Sequence, residues 1–179
     1  LLFSELTQSL STRTKQDGGA LSNILEKFIS IARQESQEKG CDVSVVIFEK
    51  LKELNDYTDG YNFATAVSKY WEGYDTGNDV LKENALKWLR GEYTSKIETM
   101  RDLSIREYIN DAAFYNSLKL YSILVRKAGY KGLLINLDEM VNLYKIPTSV
   151  SRKSNYEVIL NILNDTLQGN LSGIGFVMG

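Results

Sequence analysis

The chain has 179 residues, of which 43% are apolar and 25% charged, and its formal net charge is -2. This length suits one domain with a hydrophobic core of its own. The charge balance excludes a strong overall attraction to nucleic acid or anionic lipid, so only a local basic patch could bind either of them. Its apolar runs are too short to cross a bilayer and no signal segment opens the chain, so we expect a cytoplasmic protein without a membrane partner.

Two residue types narrow the chemistry that the chain can perform. It contains no histidine and a single cysteine, Cys41. Ser-His and Cys-His pairs, histidine-ligated zinc, disulfides and CxxC metal sites are therefore excluded. Any catalysis must use carboxylates, Lys, Arg, Tyr, Ser, Thr, a bound metal or a cofactor.

Helical periodicity dominates residues 1–128, which we treat as one helical region. Four stretches carry apolar side chains at helix spacing: Leu21 to Ala32, Val43 to Leu54, Phe63 to Tyr74 and Leu81 to Leu89. The second stretch opens on β-branched residues that also suit a strand, but its pattern continues far enough to favour a helix.

A further long helix is expected before the helical apolar pattern ends near residue 128. It should run from about Arg106 or Asp111 to Ala128, with Gly129 in the left-handed position that ends many helices. Aromatic residues on the predicted helices suit either a base-stacking platform or the core, and helical spacing favours the core. They are Tyr70, Trp71, Tyr74, Trp88, Tyr115 and Tyr121.

Residues 129–179 have the pattern of a βαβ segment. Gly132 to Leu137 and Ile174 to Met178 are short apolar runs, typical of strands that are buried on both faces. The helix between them should begin at Ser151 or Ser154 and end at Gly169, and the two strands should be parallel. Its apolar side is formed by Tyr156, Ile159, Leu160, Leu163 and Leu167.

Two adjacent carboxylates, Asp138 and Glu139, follow the first of these strands. An apolar strand that ends in Asp-Glu has the form of a Walker B element. Asp138 would orient a Mg²⁺ ion, often through water, and Glu139 would act on the water that attacks the γ-phosphate. The alternative is a pair that caps the next helix or faces solvent. Similarly, Arg152 either reaches a phosphate or a neighbouring subunit, or is a solvated side chain near a helix start.

From Phe63 onward the chain resembles the P-loop ATP-binding family of BREX phage-defence gene clusters, long known as a domain of unknown function. The most specific stretch is AGYKGLLINLDEMVNL at residues 128–143. Four other stretches match the family in the same order: FATAVSKYWEGY at 63–74, ALKWLRGE at 85–92, NYEVILNILNDTLQG at 155–169 and GIGFVMG at 173–179. The stretch TRTKQDGGAL at 12–21 also looks like the segment that precedes them in the family. The resemblance implies an α/β fold dominated by helices, namely an AAA-like (ASCE) P-loop NTPase core with a helical insertion. It assigns Asp138 and Glu139 their Walker B roles.

One departure from the family matters. The chain has no G-x-x-x-x-G-K-S/T loop to hold phosphates. We therefore expect residues 1–179 to be a single-domain fragment whose phosphate loop lies upstream of Leu1. Such a fragment should bind ATP poorly or not at all, with ATP and Mg²⁺ expected in the full-length protein, and its exposed strand edges invite self-association.

Two functions remain open. One is part of an ATPase of a defence complex, with other system subunits as partners and DNA nearby. The other is a non-catalytic helical module for protein interaction or DNA-associated regulation. A hydrolase that uses the two carboxylates as a catalytic pair is weaker, because adjacent side chains do not flank a scissile bond.

Overall fold

The computed structural model describes residues 2–110, 113–138, 144–169 and 172–179. Within these ranges the chain forms eight α-helices, one short 3-10 helix and two strands. The helices are α1 (Leu2–Gln8), α2 (Leu21–Lys39), α3 (Val43–Lys52), the 3-10 helix (Glu53–Asp56), α4 (Gly60–Thr76), α5 (Asp79–Leu89), α6 (Lys96–Leu103), α7 (Phe114–Lys127) and α8 (Ser149–Leu167). The strands are β1 (Leu133–Leu137) and β2 (Ile174–Met178). The expected predominance of helix is confirmed.

The four helices predicted in the first half are confirmed as α2 to α5, and polar caps fix their ends. The Asp42 carboxylate accepts a hydrogen bond from the Ser44 amide at 2.7 Å, which starts α3 as a helix rather than a strand. The Asn78 side chain accepts one from the Leu81 amide at 3.0 Å and starts α5. Gly129, with φ of 79°, ends α7 as expected.

The predicted start of α7 at Arg106 is wrong. A separate helix, α6, which the sequence did not predict, ends at Leu103. Ser104 follows it in the left-handed conformation (φ 58°), and residues 105–110 are not helical. Ile105 and Ile109 are both buried. Their four-residue spacing is typical of a helix face, although both lie in an irregular segment. The other proposed start, Asp111, lies outside the described residues.

Edge-to-face aromatic contacts join distant parts of the core. Tyr121 of α7 packs against Phe3 of α1 and Phe63 of α4, with ring centroids 5.7 and 5.2 Å apart. Its hydroxyl donates to the Leu89 carbonyl at 2.8 Å. Tyr70 and Trp88 are buried as well, so the expectation of an aromatic core is confirmed for these residues.

The two strands pair in parallel, as expected, with Leu133 opposite Ile174 and Leu137 opposite Met178. One face of this sheet packs on the helices through Ile135, which is buried. The prediction of burial on both faces is wrong, because Leu134 on the other face is 67% exposed. Among the described residues the helices therefore cover only one side of the sheet.

Helix α8 connects the strands and starts slightly before the predicted serines. Ile162 is its one buried residue. Most of the predicted apolar side faces solvent: Tyr156, Leu160, Leu163 and Leu167 are all exposed. No helix in the described ranges is long and apolar enough to span a membrane.

Candidate functional site

The candidate site lies where the two parallel strands end. The Gly179 amide donates to the Leu137 carbonyl at 3.0 Å, which continues the ladder one residue past β2. Asp138 follows Leu137 and is exposed, and a methyl group added at Gly179 would lie 3.3 Å from Oδ1 of Asp138. The carboxylate therefore extends across the end of the neighbouring strand.

This position is the one that ligands use in parallel α/β sheets. Ligands bind outside the carboxyl ends of the strands, where the chain turns away from the sheet. Asp138 occupies such a position because β1 ends at Leu137. Glu139, the proposed catalytic residue, lies outside the described residues, so its role stays a prediction.

The third predicted residue, Arg152, lies in the first turn of α8. Its Nη1 donates to the backbone carbonyls of Tyr144 and Ile146 at 3.3 and 3.2 Å. These contacts hold the segment before α8 against the start of that helix. Among the described residues, the other guanidinium nitrogens of Arg152 have no hydrogen-bond acceptor, so they remain able to bind an anion.

The cations near the end of α7 have specific partners. Nζ of Lys119 lies 2.6 Å from Oδ2 of Asp165, and Nζ of Lys127 lies 2.7 Å from Oε2 of Glu53. Nη1 of Arg126 donates to Oγ of Ser172 at 3.2 Å. These contacts join α7 to α8, to the 3-10 helix and to the segment before β2.

The contact between α7 and α8 was missed by sequence reasoning. Asp165 accepts hydrogen bonds from the Tyr115 hydroxyl at 2.7 Å and from Lys119 at 2.6 Å. Burial, followed by the hydrogen bond to Asp165, raises the pKa of Tyr115. The four-residue spacing of Tyr115 and Lys119 is visible in the sequence, but their partner 46 residues beyond Lys119 is not.

The described residues contain no group of three or more acidic or cysteine side chains able to hold a metal ion. Asp138 would thus share a cation with water and phosphate oxygens. Mg²⁺ is commonly bound in this way, because it keeps several waters and takes one or two carboxylates plus substrate phosphates. An exposed carboxylate at a strand end fits this requirement.

A comparison with protein families decides which proteins this chain is related to. The model of a family described as BREX system ATP-binding protein BrxC/D matches residues 1–179. The chain belongs to this family. The resemblance found in the sequence is thereby confirmed. No curated protein and no solved structure matches the chain.

Membership of the BrxC/D family supports nucleotide binding by the full protein and a role in phage defence. Other subunits of the BREX system are plausible partners for the same reason. The structure adds the position of Asp138, which directly follows the end of a parallel strand.

Proposed function

We propose that this chain supplies the Walker B carboxylates of a BREX ATPase with an AAA-like P-loop core. The observation that carries the proposal is the exposed Asp138 at the carboxyl end of β1, beside the end of β2. ATP with Mg²⁺ supplies the phosphoryl group and the charge neutralisation that its transfer requires. The chain's own residues orient that ion and the attacking water.

Asp138 has the position and the chemistry to hold a hydrated cation. Its carboxylate is exposed, so metal-bound waters can reach it and donate hydrogen bonds to it. Glu139, the next residue in the chain, accepts the proton of the attacking water or orients it. Arg152 is anchored through Nη1 to two backbone carbonyls, and its remaining nitrogens are the groups that would bind a phosphate.

The phosphate-binding loop must come from polypeptide other than these 179 residues. The sequence contains no G-x-x-x-x-G-K-S/T motif, and a run of backbone N–H groups with a lysine is what holds the phosphates in such proteins. By itself the chain should therefore bind ATP weakly or not at all. ATP turnover should therefore be measured on the complete BrxC/D protein.

The decisive experiment is Glu139→Gln in the complete protein. The amide keeps the size of the side chain but cannot accept a proton, so ATP should still bind while hydrolysis falls at least about a hundredfold. Glu157→Gln, on the exposed surface of α8, is the control and should leave turnover unchanged. Unchanged turnover in Glu139→Gln, with an active parent protein, would remove the proposed mechanism.

A second candidate function is that of a non-catalytic helical module, which either binds another protein or has a regulatory role in association with DNA. The observation in its favour is the exposed apolar side of α8, where Leu160 and Leu163 are 56% and 45% exposed. Unchanged turnover in Glu139→Gln would favour this candidate. Measuring DNA binding of the complete protein with and without ATP tests the association with DNA.

A further inference from the structure

Helix α8 is joined to α7 near its C-terminal end. Oδ2 of Asp165 accepts hydrogen bonds from the Tyr115 hydroxyl at 2.7 Å and from Nζ of Lys119 at 2.6 Å. Nζ of Lys119 also lies 4.4 Å from the centre of the Tyr115 ring, which holds the two donors next to each other. The side chains of Lys119 and Asp165 are only 24% and 22% exposed, so salt screens this ion pair less than a surface pair. These three side chains form what we call the Asp165 contact.

The opposite end of α8 carries Arg152, in the first turn of the helix. Its Nη1 donates to the carbonyls of Tyr144 and Ile146, which attaches the segment before α8 to the helix start. The Arg152 amide donates to the Thr148 carbonyl at 3.0 Å, so the residue belongs to the regular helix. A displacement of the start of α8 therefore displaces Arg152 and the attached segment together.

Ile162, the one buried residue of α8, lies between these two ends. Asp165 comes three residues after it and Arg152 ten residues before it. At a rise of about 1.5 Å per residue, the two distances along the helix are about 4.5 Å and about 15 Å. If α8 turns as a rigid rod about Ile162, a displacement of about 1 Å at Asp165 becomes one of about 3 Å at Arg152. A small change at the Asp165 contact is thus enlarged at the other end of the helix.

We infer that the Asp165 contact sets the position of Arg152, and that Asp165 is a positioning residue for the phosphate. It acts through the direction of α8 and does not touch the nucleotide. A misplacement of about 1 Å in a group that orients a substrate is enough to weaken its effect strongly. The inference rests on the proposed function for the phosphate that Arg152 would bind. Its geometrical part, that the Asp165 contact fixes where α8 begins, needs no nucleotide.

The first experiment measures the position of the start of α8 in the complete protein without nucleotide. Its cysteines, Cys41 included, are replaced, and spin labels are attached at Lys153→Cys on α8 and Tyr61→Cys on α4, two exposed sites. Lys119→Glu, which places a repelling charge beside Asp165, should change the mean distance between the labels by at least about 3 Å. Lys119→Glu combined with Asp165→Lys exchanges the two charges and should restore the original distance.

Two further variants control this measurement. A label at Asn161→Cys, an exposed site next to Ile162, replaces the label on Lys153 and should move by less than about 1 Å, because it lies beside the point about which α8 turns. Lys119→Gln removes the charge without adding a repelling one, and it should move the label on Lys153 in the same direction by a smaller distance. The result then does not depend on how well Lys119→Glu folds.

The second experiment tests whether the contact acts on the nucleotide through Arg152. The dissociation constant of Mg²⁺-ATP is measured for Lys119→Glu, Arg152→Ala and the double variant of the complete protein. Each single variant should raise this constant at least about tenfold, and the double variant should raise it no further than Arg152→Ala alone. A residue that only stabilised the fold would not lose its effect when Arg152 is removed. The charge-exchanged protein should bind ATP as the unmodified protein does.

Three results would overturn the inference. An unchanged label distance in folded Lys119→Glu would show that other contacts set the position of α8. Equal movements of the labels on Lys153 and Asn161 would show that the helix shifts as a whole or unfolds, without turning about Ile162. Additive effects of Lys119→Glu and Arg152→Ala on ATP binding would show that the Asp165 contact does not act through the arginine.

These results differ from a failure of the proposed function. Unchanged turnover in Glu139→Gln would remove the proposed mechanism, while the label distances would still decide whether the Asp165 contact fixes the start of α8. Conversely, an unchanged label distance together with lost turnover in Glu139→Gln would overturn the role of Asp165 alone.

Discussion

Asp138 and Gly179 lie side by side at the end of the sheet, although 41 positions separate them in the sequence. A methyl group at Gly179 would lie 3.3 Å from Oδ1 of Asp138. The closeness results from the parallel pairing of β1 with β2, because parallel strands end at the same edge. A carboxylate at such an edge is accessible to a ligand that approaches the ends of both strands.

Asp138→Asn should reduce Mg²⁺-dependent ATP hydrolysis by the complete protein at least about a hundredfold, because a neutral amide holds the hydrated cation poorly. The rate is measured over a range of Mg²⁺ concentrations. Asp17→Asn, at another exposed aspartate, is the control and should hydrolyse ATP normally. Normal turnover in Asp138→Asn would contradict the metal-orienting role.

Asp165→Ala should lower the free energy of unfolding by about 1.5 to 3 kcal/mol, because hydrogen bonds that involve a charged group are lost. It leaves Tyr115 and Lys119 without their acceptor, and the Lys119 side chain is only 24% exposed. Urea denaturation measures the change, and hydrogen exchange should show α8 loosened first. Glu157→Ala is the control, since its ion pair with Lys153 is exposed and 3.8 Å long. Equal effects of the two substitutions would contradict the role given to Asp165.

Gly60→Ala should destabilise the fold by at least about 2 kcal/mol, because the added methyl has no room. A Cβ at Gly60 would overlap the Leu54 carbonyl oxygen, so the 3-10 helix and α4 would have to separate. Gly77→Ala is the control: its φ is 70° but its surroundings are open, so only the backbone cost of about 1 kcal/mol applies. Thermal unfolding of both variants checks the order, which would be reversed if contact with Leu54 were unimportant.

Tyr121→Phe should lower the free energy of unfolding by about 1 to 3 kcal/mol at pH 8, because the buried Leu89 carbonyl loses its hydrogen-bond donor. Burial raises the pKa of Tyr121, so the neutral phenol is favoured in the folded state. Its contribution to stability is complete below the unfolded pKa of about 10 and is lost as pH rises toward the folded pKa.

The difference between Tyr121→Phe and the unmodified chain should therefore narrow above about pH 10, by up to about 1.4 kcal/mol per pH unit. Urea denaturation between pH 8 and 11 measures it. Tyr61→Phe, at a residue that is 73% exposed, is the control at pH 8. A difference that stayed constant with pH would show that Tyr121 titrates alike in both states.

Helices α2 to α5, the glycine end of α7 and the two parallel strands followed from the sequence. Their signals are local: apolar side chains repeat every three to four residues, and short apolar runs end at turn residues. The position of Asp138 just past β1 followed in the same way. The absence of histidine also excluded whole classes of catalysis before any fold was known.

Only the tertiary structure decided which of these patterns are buried and what they contact. The helix expected from about Arg106 would have contained Ile109, yet this residue is buried in an irregular segment. Leu134 belongs to an apolar run but is exposed, because helices cover one face of a two-stranded sheet. The Asp165 contacts likewise join residues far apart in the chain. Periodicity reports which side of an element is apolar, whereas burial depends on the surfaces that folding brings against that side.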